Sequence, residues 1–267
     1  MGYGVFGISL TVITSPLYPL NGTREISRNV QHSDANQLSI LCITAPPWPM
    51  ESTGTICPMT TPRISYAHLL AKPNPKHIDS LLRFFEEGRS KRGTGGFGVE
   101  IEHLPVHNGD DTAVSYYEEN GVETLLKRIA PYYDKEKEYW ENGHLVGLGR
   151  EGIAVSLEPG GQVECSLGIL KTPQELLTLY RSFRRDIDPV LDELGFRLVN
   201  YGYQPKSGFA DVKVNPKDRY DAMTHYLGRV GQFGPCMMRC SASTQVSIDY
   251  VDEQDSIDKL RLGTIIG

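Results

Sequence analysis

Apolar positions recur at helical spacing in a few separate stretches. Within 77–89, Ile78, Leu81, Leu82 and Phe85 fall on one face, which predicts an amphipathic helix. Val122, Leu125, Leu126 and Ile129 do the same over 121–130. The strongest pattern follows Thr172, which suits a helix cap, with Pro173 at the first helical position and Glu175 completing a capping box. Leu176, Leu179, Tyr180, Phe183, Ile187, Val190, Leu191 and Leu194 form its stripe, and Gly195 ends it. Pro189 inside it predicts a bend. Two more helices are expected, over 216–227 and after a cap at Asp252.

Between the helices the period changes to two. Strands are predicted over 97–105, 196–202 and 244–250, and a hairpin over 144–148 and 152–157 turns through Gly149-Arg-Glu-Gly152. Paired strands ahead of each long helix give an α+β fold with a mainly antiparallel sheet and helices on one face. The breaker-rich Gly93-Thr-Gly-Gly-Phe-Gly98 precedes a strand and lacks a Gly-Lys-Ser/Thr ending, so it reads as a flexible entry and not as a phosphate cradle.

Residues 1–70 stand apart as a low-order N-terminal extension. They hold three basic and three acidic residues, against 27 and 33 in all 267, and a single short strand is expected over 38–44. So little patterned apolar surface would not offset the entropy of ordering. One explanation is a start assigned too far upstream, with Met59 the true one. Residues 71–267 form the folded part.

Composition narrows the function. The net charge of -6 argues against a nucleic-acid binder, and no run of about 18 apolar residues would cross a membrane. Five cysteines make no disulfide framework. Cys236 and Cys240 would share a helix face, but nothing nearby completes a zinc site, so buried thiols in a reducing cytoplasm are expected.

Three strand segments put acids and amides on one side. Glu100 and Glu102 are two apart; Ser156 and Glu158 share a face, as do Gln162 and Glu164; so do Gln245, Ser247 and Asp249. These faces are either simply solvated or metal-binding. They contain no Lys or Arg, and clustered carboxylates without countercharge favour a hard divalent cation such as magnesium. Arg219 is a candidate phosphate or carboxylate contact and Lys217 a second, each against the plainer reading of a solvated helix charge. Arg150 beside Glu151 reads as a surface pair of little worth. His103 and His225 read as structural or exposed.

Gly98-Val-Glu-Ile-Glu-His-Leu-Pro105, Leu157-Glu-Pro-Gly-Gly-Gln-Val-Glu-Cys-Ser166, Tyr201-Gly-Tyr-Gln-Pro205, Pro216-Lys-Asp-Arg-Tyr220 and Gln245-Val-Ser-Ile-Asp249 resemble glutamate–cysteine ligase of the plant and proteobacterial type, in that family's order across 76–262. The resemblance implies a curved sheet akin to that of glutamine synthetase, with the site in its hollow. It implies Glu100, Glu102, Glu158 and Glu164 around magnesium, and Gln162 and Gln245 lining the same cavity with ATP. It implies glutamate and cysteine as substrates, joined through a γ-glutamyl phosphate in the first step of glutathione biosynthesis. A related ligase with another amine acceptor, or an inactive remnant binding a nucleotide or partner chain, are the alternatives. Where the family often has Arg-Thr, this chain has Cys240 and Ser241, and Arg239 is expected to point the other way on a strand; Cys165 replaces a leucine. The family chain is also longer, so an open sheet edge, self-association through it and little activity from the 267 residues alone are expected.

Overall fold

The computed structural model describes residues 8–12, 75–90 and 94–266. Its strands are β1 (Ile8–Val12), β2 (Phe97–His107), β3 (Tyr139–Glu141), β4 (His144–Arg150), β5 (Ile153–Leu157), β6 (Val163–Leu170), β7 (Phe196–Val199) and β8 (Thr244–Ile248). The helices are α1 (Pro75–Glu87), α2 (Val122–Ile129), α3 (Pro173–Leu194), α4 (Asp218–Val230), α5 (Gly234–Cys240) and α6 (Glu253–Ile266). The strands form one sheet in the order β1-β8-β2-β6-β5-β4-β3, and β7 also pairs with β2. Every pairing is antiparallel, so the α+β antiparallel expectation holds. Among the described residues no helix is long and apolar enough to cross a membrane.

β2 organises the sheet because it is 11 residues long and pairs with three other strands. Its first part lies between β6 and β8, and Leu104 to His107 pair with β7. Val99, Val155, Val163, Cys165 and Leu167 pack into one core with Leu125, Leu126 and Ile129 of α2 and Phe183, Ile187 and Leu191 of α3. Burying such side chains is the main stabilising term. The N-cap and terminal glycine of α3 act as read, while Glu175 reaches back to the residue before the cap and not to the Thr172 N–H of a capping box. Thr172 Oγ1 accepts from the Glu175 N–H at 3.2 Å, the Glu175 carboxylate accepts from the Lys171 N–H at 2.7 Å, and Gly195 turns left-handed at φ 81°.

His103 points into the core. Its Nδ1 lies 3.0 Å from the Val163 carbonyl, its Nε2 is 2.9 Å from Tyr180 Oη, and burial drives its pKa down to about 4. It is a neutral structural histidine, as expected, and His225 is exposed.

Four expectations change. Arg150 is no loose surface pair: it meets the buried Asp186 of α3 at 2.5 Å and lies 4.8 Å from the Tyr133 ring centroid. Sequence adjacency suggested Glu151, but a strand sends neighbouring side chains to opposite faces. Arg239 lies on α5, so the strand argument for its direction does not apply; its guanidinium donates to the Phe209 carbonyl at 3.2 Å. The glycine loop ends pinned, with the Gly96 N–H on Asp249 Oδ2 at 2.8 Å and a Cβ there only 2.5 Å from the Leu170 carbonyl oxygen. β1 was unforeseen: Ile8, Leu10 and Val12 alternate with Ser9 and Thr11, but five residues are too few for periodicity alone to decide. The strand expected over 38–44 and the start proposed at Met59 lie outside the described residues.

Helix α1 forms where its spacing placed it. Yet Leu81, Leu82 and Phe85 are 57–60% exposed. Tyr250 ties the helix to the sheet end, donating its hydroxyl to the Phe85 carbonyl at 2.6 Å.

Candidate active site

Register brings the three polar segments together. Glu102 lies directly opposite Glu164, and Glu164 in turn opposite Ser156. Glu100 lies opposite Ser166 on one side and Gln245 on the other. Directly opposed residues share a face, so four strands contribute to one polar surface whose reverse is the core. This could not be otherwise: Val99, Cys165 and Val155 are buried, and period two then sends Glu100, Glu164 and Ser156 the other way.

Two carboxylates facing each other across a strand pair repel. Glu100 is held above the usual carboxylate range by desolvation first, then by Glu164 and Glu102. Glu102 is also raised, mainly by desolvation and against the pull of its hydrogen bonds. Those bonds come from the Ser243 N–H at 2.8 Å, Ser243 Oγ at 3.2 Å and Gln245 Nε2 at 3.0 Å. Ser156 Oγ and Ser166 Oγ donate to Glu164 Oε1 at 3.1 and 2.7 Å.

Glu158 stands just beyond β5. Desolvation, then Glu164 and Glu102, push its pKa up to about 7, against the smaller opposing effect of Arg219 and Lys217. The turn carrying it is fastened from two sides. Asn215 donates its side-chain amide to the Glu158 carbonyl at 2.6 Å. Gln162, 2% exposed, accepts from the Gly160 N–H at 2.7 Å and donates to the carbonyls of Met238 and Ser241 at 3.2 and 2.8 Å. A Cβ on Gly160 would fall 2.2 Å from the Arg239 carbonyl oxygen, so only glycine permits this approach. Gln162 therefore spends its amide on holding the turn, whereas the sequence reading put it on the cavity lining.

Lys217 and Arg219 flank the Glu158 end. Lys217 is half-buried, which lowers its pKa, with Arg219 adding to the effect; its Nζ donates to the Leu157 carbonyl at 2.8 Å. The Arg219 guanidinium is 3.6 Å from Glu158 Oε1 and 4.7 Å from the Tyr220 ring centroid. Tyr220 also donates to the Leu157 carbonyl, at 2.6 Å. Lys217 is thus no freely solvated charge, while Arg219 keeps 61% of its side chain exposed.

The donor set suits a hard cation. Carboxylates whose charged form is disfavoured by desolvation first and mutual repulsion second would be relieved by a divalent charge. Among the described residues no group of three His, Cys, Asp or Glu side chains is placed to hold a metal ion together. Magnesium usually takes one or two carboxylates plus water and substrate phosphates, and these residues fit that mode. Of the donors on Glu102 and Glu164, sequence reading named Gln245 and Ser156 on the polar faces but missed Ser166 and Ser243. Ser166 was legible as the same-face neighbour of Glu164, two residues on; Ser243 was not, because its backbone N–H makes the shorter bond.

A family model described as glutamate-cysteine ligase family 2 matches residues 96–264. The chain is 32% identical over 203 residues to the chloroplastic glutamate–cysteine ligase of Nicotiana tabacum, covering 76% of this chain and 38% of that protein. It is 35% identical over 189 residues to the chloroplastic enzyme of Arabidopsis thaliana, covering 71% of this chain and 35% of that protein. Chloroplastic glutamate–cysteine ligase B of Oryza sativa subsp. japonica is 34% identical over 189 residues, covering 71% of this chain and 37% of that protein. The chain spans less than two fifths of the length of these curated relatives. The cytoplasmic placement is overturned by their names: reduced cysteines report a reducing solution, and that does not single out one compartment.

Proposed function

The chain belongs to glutamate-cysteine ligase family 2, and we propose that its polar sheet face is where ATP, magnesium and glutamate meet for ligation of the glutamate γ-carboxylate to the cysteine amine. This is the first step of glutathione biosynthesis, and the plastid named for the relatives is its compartment. The carrying observation is the directly opposed pair Glu102 and Glu164, with Glu100 alongside, hydrogen-bonded by neutral donors.

Bound magnesium would neutralise the triphosphate and align its γ-phosphorus. One or two carboxylates drawn from Glu100, Glu102, Glu158 and Glu164 would hold each ion, with water and phosphate oxygens completing its shell. A glutamate carboxylate oxygen attacks the γ-phosphorus and ADP leaves; the cysteine nitrogen then attacks the acyl carbon of the γ-glutamyl phosphate, loses a proton and expels phosphate. Arg219 and Lys217 would contact the oxygens of the phosphate in transit. Gln245 would keep Glu102 oriented, and Gln162 would keep the Glu158 turn in place.

Calorimetric titration with a non-hydrolysable ATP analogue tests this. Binding is expected to require magnesium and to weaken at least tenfold in Glu102→Gln and Glu164→Gln. Binding that ignores both magnesium and these substitutions would overturn the reading. With analogue and glutamate present, cysteine is expected to raise the melting temperature more than other amines; a larger rise with another amine would reassign the acceptor.

A further inference from the structure

Ser156 and Ser166 belong to different strands yet donate to the same atom, Glu164 Oε1, at 3.1 and 2.7 Å. Ser156 reaches it from directly across the β5–β6 pair, and Ser166 from two residues along β6 on the same face. The terminal torsion of a glutamate is broad, so an unrestrained carboxylate samples many orientations. Two donors converging on one oxygen restrain that torsion and leave Oε2 without a side-chain donor among the described residues. The donors are neutral. An arginine or lysine here would orient the carboxylate as well, but would cancel the charge that a cation needs.

We propose that Ser156 and Ser166 are positioning residues that hold Glu164 for a divalent cation by locking Oε1 and presenting Oε2. The inference rests on the site reading above and deepens it. Outer hydrogen-bond partners of a metal ligand typically contribute about 10–100-fold to metal affinity, which sets the scale of the effect.

The test is titration of the 267-residue chain with Mn2+ alone, followed by the electron paramagnetic resonance of the free ion, with circular dichroism to confirm the fold. The double variant Ser156→Ala/Ser166→Ala is expected to bind Mn2+ about tenfold more weakly, and each single variant about threefold. The double variant Ser156→Thr/Ser166→Thr, which keeps both hydroxyls, should stay within about twofold of wild type. The single variants carry the test if the double alanine chain does not fold. Alanine variants that are folded and bind like wild type overturn the proposal, as do threonine variants as weak as alanine. A wild-type chain that binds no Mn2+, or a Glu164→Gln chain that binds as well as wild type, removes the site reading itself, a different failure from loss of the serine effect alone.

Discussion

Glu158 is desolvated first and then crowded by Glu164 and Glu102. Its pKa is about 7 in the fold against an ordinary 4.5, so the metal-free folded chain keeps this proton to higher pH than the unfolded chain does. Stability from this group is therefore present at low pH and lost as pH rises through about 4.5 to 7. At 1.36 kcal/mol per unit the loss approaches about 3 kcal/mol. In urea titrations with chelator present, wild type should match Glu158→Gln near pH 4 and fall about 3 kcal/mol below it at pH 8; a constant gap would refute the assignment. Gln162→Ala should cost about 2–3 kcal/mol of stability, since it leaves the buried Gly160 N–H without its acceptor. A loss under about 0.5 kcal/mol in the same titration would mean the turn does not need its latch. At this scale the sequence was half readable. Period two put Glu100 and Glu102 on one side of their strand and Glu164 on a polar face of its own, but only the register joins the two faces. Gln162 was misplaced because two of its partners, Met238 and Ser241, come from a helix end more than 70 residues later, which no local pattern announces.

Elements were more legible than their partners. The N-cap and the terminal glycine of α3 were plain, because capping is local chemistry within three or four residues. Thr172→Ala should accordingly cost about 1 kcal/mol, measured by thermal or urea unfolding. The link between the β4–β5 hairpin and α3 was not legible, and it is the larger effect. Arg150→Ala takes from the buried Asp186 its close partner, leaving Arg185 at 3.8 Å, and should cost about 3 kcal/mol, far above the value of an exposed pair. A cost below about 1 kcal/mol would show the pair to be effectively solvated. Helix α1 illustrates the opposite lesson: its stripe was read correctly as helical, but an amphipathic pattern names a face and not what covers it.

For the molecule as a whole, the antiparallel α+β class followed from the order of strand and helix patterns, while the strand order did not. β8 sits beside β2 although well over 100 residues separate them, and it is this pairing that sets Gln245 against Glu100. Long-range pairing of this kind is set by packing and register, which leave only weak traces in a single sequence. The surface so assembled is the proposed meeting place of divalent ions and a nucleotide. The most direct measurement is a crystal structure with Mn2+ and a non-hydrolysable ATP analogue, read by anomalous scattering. The expected result is one or more Mn2+ peaks within about 2–2.5 Å of Glu100, Glu102, Glu158 or Glu164 oxygens, with the triphosphate lying on the same face. Ordered nucleotide elsewhere on the chain, with no anomalous peak between β2 and β6, would contradict it.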